Sequence, residues 1–502
     1  MAPMAVAWDH RTIAEQRKQQ NVLLRQTLLQ MALGHVPFVR ARLASAGIDA
    51  RLFKGLDALD TLPLSMRRDV LDPRRNPEGP NALVLRGTGE GVKRFSDWSV
   101  LRRLLVVSLL GGEEAKELQI EAATRAVHVH LPLGPGGRLP VAYTRDDLDL
   151  LARAGARLAA VVGLGREDRL LNLVPFGPTL NFWGVYYMAH GVGMNAVHFR
   201  GSRRDLASSM QALDESRATV VALPASEAVA FPRIAMEDGI DISKLELVLA
   251  VGRSLTAPER AALGEGLLSA GARDAHIAAV YGPAEGRVLW GECSVPAGRE
   301  ETFGLHTYSD LDVVEVISPE TGERRGEQEP GELVVTPLVF RGGGAPRWRT
   351  GDLALGGLST EPCPNCGRTA PRVGPTVRQG EWRREVVLNG RGSIIDLRDA
   401  GAAASERTDH WQVELDRTDG ADRLFVHVVA GEDPAPLIEL YEDLARLGSP
   451  PTQVVLADPP AIERRLRAAP GPWSRYWDRV DTPGPAPAEE SGEGEGTSSA
   501  SG

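Results

Sequence analysis

Lysine is scarce in this chain and stops early. It occurs at Lys18, Lys54, Lys93, Lys116 and Lys244 and nowhere later, so arginine is the only fixed cation of the C-terminal half. Three cysteines in 502 residues exclude a disulfide framework. No apolar run reaches the roughly 18 residues that cross a bilayer, so no membrane partner is expected. The N-terminus meets charge within about ten residues and has no signal-peptide core. A cytoplasmic location follows as an expectation, with the thiols kept reduced for metal or burial. A net charge of −10 gives nucleic acid nothing to hold. Gly 54 and Pro 35 break any long coiled coil. What remains is an ordinary globular composition, 42% hydrophobic and 25% charged, long enough for two or three domains.

Apolar spacing between Thr12 and Leu43 predicts one or two helices. Thr61-Leu-Pro-Leu-Ser-Met-Arg-Arg-Asp-Val predicts a turn and then a helix capped near Ser65. A strongly amphipathic helix is predicted from Asp146 to Val162. Strands then alternate with helices: strands at 170–174, 194–199, 219–223, 245–251 and 275–280, helices at 185–193, 204–215, 227–237 and 257–270. That alternation predicts an α/β fold with a mostly parallel sheet of βαβ units. After Tyr281 the texture changes to short β runs, Asp312–Ile317 and 331–336, which predict an antiparallel subdomain. A smaller α+β unit is expected from Arg378, with strands at 386–388, 411–416, 424–429 and 453–457 and a helix at 436–447. The boundaries read 1–377 for a large domain, 378–482 for a small one, and 483–502 for a disordered tail without apolar anchors.

Four motifs carry chemistry. Cys293 and His306, with twelve residues between them, join Cys363-Pro-Asn-Cys366 in a Cys3His set within about 290–372, suited to a closed, structural zinc site. Arg349-Thr-Gly-Asp352-Leu is either an Asx turn or a carboxylate placed for a ribose diol. Tyr281-Gly282-Pro-Ala-Glu285 ends a predicted strand, where parallel sheets bind ligands. Tyr281 could stack on a base and Glu285 could hold magnesium, or the segment is a plain turn. Two glycine-rich stretches could bring backbone N–H groups to phosphate: Gly134-Pro-Gly136-Gly137-Arg138, and Arg86-Gly-Thr88-Gly-Glu-Gly-Val-Lys93. Aromatics concentrate at Phe176, Phe182, Trp183, Tyr186 and Tyr187. With Asn181 they form a flat acid pocket, or else helix core at i, i+3 and i+4 spacing.

In this order the motifs resemble the adenylate-forming enzymes, and among them the phenylacetate–CoA ligase family. The resemblance runs from near Gln19 to about Asp481. It includes His35-Val-Pro-Phe-Val-Arg, Ala46-Gly-Ile, Leu62-Pro-Leu-Ser-Met-Arg-Arg-Asp-Val, Val141-Ala-Tyr-Thr-Arg-Asp-Asp-Leu and Pro330-Gly-Glu-Leu-Val-Val-Thr-Pro-Leu. Cys363-Pro-Asn-Cys-Gly-Arg-Thr-Ala-Pro-Arg372 resembles a zinc knuckle of this branch. The resemblance implies a large nucleotide-binding domain and a small mobile C-terminal domain. It implies ATP and Mg²⁺ as cofactors, an acyl-adenylate, then transfer to CoA, a carrier-protein thiol or an amine. Asp352 would bind ribose. Tyr281 and Gly282 would line adenine, with Gly252-Arg253-Ser254 beside the base. Glu285 would hold Mg²⁺, and Arg378 would lie near the hinge.

The chain departs from that pattern in three places. Gly134-Pro-Gly-Gly-Arg-Leu-Pro replaces a loop rich in Ser and Thr. Val377-Arg-Gln-Gly-Glu-Trp replaces the Gly-Arg-x-Asp-Asp hinge. No lysine exists near the C-terminus, where Arg475 stands in the corresponding region; arginine and lysine differ in geometry. Three readings follow. The first is ATP-dependent activation of an acid, an aromatic one by the residues of the pocket. The second is a relative that no longer adenylates and serves as a binding or scaffold protein or takes a pre-activated substrate. The third is the same chemistry on a small oxyacid such as nitrite in secondary metabolism. A homodimer is left open.

Overall fold

The strands of the large sheet lie where βαβ alternation puts them, and the computed structural model shows why. The structure describes residues 8–32, 36–85, 98–134, 137–199, 212–213, 215–319, 321–339 and 341–377. Of the rest it describes 386–388, 394–396, 401, 403–404, 408, 410–416, 423–429, 435–446, 453–468 and 476–478. The chain divides into two compact units, Met1–Gly380 and Glu381–Gly502.

In the first unit, β1 (His128–His130), β2 (Leu133–Gly134), β3 (Gly137–Arg138) and β4 (Val141–Tyr143) come first. β1 pairs antiparallel with β4, bracketing the β2–β3 hairpin. Then come β5 (Arg169–Asn172), β6 (Asn195–His198), β7 (Val220–Pro224), β8 (Leu247–Val251) and β9 (His276–Tyr281). These five are parallel in the order β6-β5-β7-β8-β9. β10 (Trp290–Gly291), β11 (Val295–Pro296), β12 (Leu305–His306), β16 (Leu358–Ser359) and β17 (Arg372–Val373) extend the same sheet antiparallel. A second, antiparallel sheet holds β13 (Asp312–Ile317), β14 (Gly331–Pro337), β15 (Trp348–Ala354) and β18 (Thr376–Val377).

Both faces of β5, β7, β8 and β9 are buried along most of their length, as apolar runs without alternating polarity require, while the edge strand β6 is only half-buried. Val220 and Ala222 of β7 enter one core with Leu158 and Val185. Val221 and Leu223 enter the other, with Phe231 and Leu263. The helix Arg145–Val162 covers one face, started by a capping box between Thr144 and Asp147 and stopped by Gly163 in the left-handed conformation. It packs on the helix Leu180–Val192. There Gly155 and Gly191 allow the backbones to meet, because a Cβ on either would overlap the opposite main chain.

The N-terminal stretch forms two helices, Ile13–Gln30 and Pro37–Ser45, within the one or two expected. Other expectations need correction. Ser65 is not a helix cap. It ladders with β15 instead, donating from N to Arg347 O at 2.9 Å and accepting Arg349 N at 2.8 Å. The short helix Arg67–Leu71 is closed by Asp69, which accepts Met66 N at 3.2 Å. The helix read over 227–237 is two, Ala225–Ala228 and Phe231–Glu237, because Pro232 suits a first turn and not a helix interior. Helical segments over Trp98–Thr124, meeting at Gly112 with φ +77, were not expected at all. Most of the helix read over 204–215 and the tail from 483 lie outside the described residues.

The second unit contains a four-stranded sheet, with Trp411–Asp416 antiparallel to Arg423–Val428 and parallel to Tyr476–Asp478. Gln453–Leu456 joins parallel to Arg423–Val428. The helix Ala435–Arg446 buries Leu440 and Leu444 in this unit's own core with Val413 and Val426. A further helix, Pro459–Ala468, was also not expected.

Candidate functional site

β8 and β9 are neighbours, so their carboxyl ends bring two sequence motifs together. Gly252 follows β8 with φ +118, a conformation that favours glycine, and its N–H donates to Val280 O at 2.7 Å. A Cβ at Gly252 would sit 3.3 Å from Asn181 Nδ2, so the first turn of the aromatic helix abuts this loop. Gly282, just after β9, is hemmed in by Leu180, Leu289 and Val288, each 2.9 Å from where a Cβ would be. Tyr281 is fully buried, and its hydroxyl donates to Asp352 Oδ2 at 2.6 Å. Asp352 is placed by the β15 turn: Thr350 Oγ1 accepts its N–H at 3.0 Å, and Gly351, at φ +77, donates to Glu332 Oε1 at 3.0 Å. The adenine and ribose residues implied by the resemblance are thus in direct contact.

Arg253 turns away into its own loop. It makes two bonds to Glu259, at 2.8 and 2.7 Å, and is 4% exposed. Ser254 Oγ accepts the N–H of Thr376 at 3.0 Å and ties the loop to β18. Glu285 is equally engaged. One oxygen pairs with Arg67 and the other accepts Trp348 Nε1 at 3.3 Å, with both charged side chains 8% exposed. Arg67 and Trp348 were missed as site residues. Arg67 stands inside a segment legible only as part of the family pattern, and nothing local marks it.

A cleft opens beside Glu285 and Trp348. Leu139, Pro140 and Val141, just past the β2–β3 hairpin, line it together with Glu285, Gly286, Arg287, Asp312, Trp348 and Thr350. In the hairpin Gly134 pairs with Gly137, and the exposed Arg138 donates to Leu131 O at 3.0 Å. Gly136 lies outside the described residues, as do the Arg86–Lys93 stretch, Arg378 and Arg475. Arg287 clamps the floor, donating to Ala142 O and Gly343 O at 2.6 Å each. Burial pushes the Asp312 carboxyl up to about 7, against the pull of Trp290 and Arg287.

The aromatic residues form one connected group. Phe182 lies 5.1 Å from Phe176 and 5.4 Å from Trp183, Trp183 lies 5.6 Å from Tyr186, and most contacts are edge-to-face. Phe182 is buried while Phe176 is 66% exposed, so the group reaches from core to surface. Two histidines that the sequence did not single out, His128 and His130, join it. His128 meets Trp183 at 4.7 Å and His130 meets Tyr143 at 4.7 Å. Burial lowers His130 to about 3, so its ring is neutral. His198 is also lowered by burial. Asn172 Nδ2 lies 3.1 Å from His198 Nδ1, and Asn172 Oδ1 accepts Val174 N at 3.1 Å, which fixes Nδ1 as the acceptor.

The four metal-type residues meet as the Cys3His set requires. Gly291 of β10 pairs with His306 of β12, and β12 pairs with β17, bringing Cys293, His306 and the 363–366 turn to one place. That turn is held by Cys363 N to Arg368 O and Gly367 N to Cys363 O, both 2.8 Å. All four donor atoms lie within 4.8 Å of one another. Zinc bonds of about 2.3 Å to sulfur and 2.0 Å to nitrogen give tetrahedral edges of about 3.8 and 3.5 Å. The measured Cys293–Cys363 edge is 3.8 Å, and His306 Nε2 lies 3.3 Å from Cys293 and 3.6 Å from Cys366. The cluster therefore fits the ion. Contact with Cys363 and Cys366 raises the Cys293 thiol, while Cys293 lowers both of the others. For His306, burial pulls down, but the neighbouring thiols outweigh it and the net shift is up.

In sequence and in fold the chain is similar to adenylate-forming enzymes of the acid–CoA ligase type. In sequence the chain is similar to the phenylacetate-coenzyme A ligase of Thermus thermophilus, 27% identical over 405 residues, 79% of this chain and 78% of that one. In structure it is similar to 2-hydroxyisobutyryl-CoA ligase in the postadenylation state with 2-HIB-AMP. There the TM-score is 0.68 at 19% identity, covering 91% of this chain and 90% of the other. The same ligase with 2-HIB-AMP and CoA in the thioesterification state gives 0.56 at 19% identity over 90% and 88%. No family model matches the chain. Among the described residues no helix is long and apolar enough to cross a membrane.

Proposed function

We propose that the chain joins a carboxylic acid, an aromatic one, to the α-phosphorus of ATP, releasing pyrophosphate. The acyl group then passes to CoA, a carrier-protein thiol or an amine. The observation that carries this reading is the Tyr281–Asp352 bond at the carboxyl edge of the sheet, with Asn181 against Gly252 beside it. A carboxylate accepts about four hydrogen bonds, so the Tyr281 hydroxyl orients Asp352 toward a ribose diol while the tyrosine ring borders the base. The aromatic helix starts at the same edge, which sets an aryl acid next to the nucleotide. A carboxylate is a poor electrophile, and attachment to AMP makes its carbonyl open to attack. Positioning and fixed charge then supply most of the rate.

On this reading residues 1–377 bind nucleotide and acid, and 378–482 form a domain that turns between the two half-reactions. Arg378 would sit near the hinge. Arg475 would carry the charge usually carried by lysine at the adenylation step. Cys293, His306, Cys363 and Cys366 would hold zinc, which staples β10, β12 and β17 and leaves no open position for chemistry.

Acid-dependent exchange of labelled pyrophosphate into ATP tests the reading, with benzoates, phenylacetates, cinnamates, 2-hydroxyisobutyrate and nitrite as acids. Exchange with an aryl acid supports it. A second reading, a relative that no longer adenylates, is favoured by the pairing of both acidic motif residues inside the protein. Lack of exchange with every acid would leave that one standing.

A further inference from the structure

Glu285 is the residue to which the resemblance gives a magnesium ion, and its surroundings do not fit one. Mg²⁺ takes six oxygens at about 2.1 Å in an octahedron and keeps several waters. Both Glu285 oxygens already have donors, the Arg67 guanidinium on Oε1 and the Trp348 indole on Oε2, and although lone pairs remain, the buried guanidinium charge against Oε1 repels a second cation there. Among the described residues Glu285 belongs to no cluster of acids or histidines able to hold a metal; the Cys/His set alone does so.

The arrangement is built into the fold. Ser65 ladders on both sides of Trp348, in the strand that also carries Asp352. Two residues later Arg67 begins its short helix, and Asp69 closes that helix while pairing with Arg75 at 2.7 Å. From the other side the Pro283–Gly286 turn, closed by Gly286 N to Pro283 O at 2.8 Å, presents Glu285. Glu285 lines the cleft with Trp348, and Arg67 meets it from just behind that lining, each fixed by its own backbone. A guanidinium is always charged, and its planar fork matches phosphate oxygens.

We propose that Arg67 takes the place of a protein-held magnesium ion in this chain. Its guanidinium supplies the fixed positive charge for the nucleotide's phosphates, and Glu285 is the positioning residue that aims it. The inference rests on the adenylation reading above. Metal that arrives on the nucleotide then has no ligand from Glu285.

The test is calorimetric titration of the full chain with ATP, in excess Mg²⁺ and in excess EDTA. The expected dissociation constants differ by less than about threefold between the two. Because Arg67→Met alone strands a buried carboxylate and can unfold the chain, the variant is the pair Arg67→Met with Glu285→Gln. It should weaken ATP by about tenfold in both buffers, with Arg67→Lys in between and melting curves showing each variant folded. Electron paramagnetic resonance of Mn²⁺ with protein and ATP should give the same spectrum for wild type and Glu285→Gln. Tenfold or tighter binding with Mg²⁺ than without, abolished by Glu285→Gln, overturns this inference and leaves the adenylation reading intact. No ATP binding in either buffer overturns both.

Discussion

The Cys/His cluster and the acidic motif residues solve opposite problems in one unit. At the cluster four donors converge at distances that suit a metal ion. At the carboxyl edge of the sheet the carboxylates of Asp352 and Glu285 have already found partners, Tyr281 and Arg67. On the proposed reading the first region is completed by an ion. The second is held in shape by the chain itself and on that reading shares its bonds with a nucleotide. Sulfur and imidazole donors so grouped suit a soft metal ion, whereas a buried carboxylate is readily met by a hydroxyl or a guanidinium.

That contrast can be broken at either end. The largest effect is expected for Cys363→Ser. It should lose a stoichiometric metal and melt about 5–10 °C lower. Elemental analysis and calorimetry read both, and an unchanged zinc content with unchanged melting would remove the metal from the comparison. Next is Asp352→Ala, expected to weaken ATP by about a hundredfold, close to 3 kcal/mol. Retained affinity in a titration would take the ribose role away from it.

Asp312 sharpens the contrast, because here a carboxyl is buried with too little opposing charge. Its pKa of about 7 in the fold exceeds the roughly 3.9 of an unfolded chain. The folded state keeps the proton longer, so stability falls as pH climbs from about 4 to 7 and stays reduced above that. Asp312→Asn should therefore raise the melting temperature by a few degrees at about pH 8 and by much less near pH 5. Equal shifts at both pH values would show that Asp312 ionises normally. The smallest effect belongs to Tyr281→Phe, which removes one hydrogen bond and should weaken ATP by about fivefold, near 1 kcal/mol. A loss as large as that of Asp352→Ala would mean that the hydroxyl binds the nucleotide itself.

Much of this was legible in the sequence because burial leaves a pattern. The parallel strands read as apolar runs, and β13 (Asp312–Ile317) was bounded correctly, since chain direction and turn residues mark such segments locally. The Cys3His set was legible because thiols and imidazole have few uses together. The partners were not. Nothing near Arg67 in the sequence announces a carboxylate 218 residues away, and Ser65 looked like a helix cap because its strand partner, Trp348, is more distant still. Arg253 was legible as a residue type at the right turn, but Glu259, six residues on, claims it through the capped start of the next helix. Sequence shows which groups a site contains; the fold decides which of them are already spoken for.

The most direct test of the central claim is pyrophosphate release from ATP by the purified, zinc-replete chain, with and without an aryl carboxylic acid. Release that requires the acid, together with an acyl-AMP seen by mass spectrometry, is what the account predicts. A folded chain that binds ATP and yields neither product with any acid would contradict it.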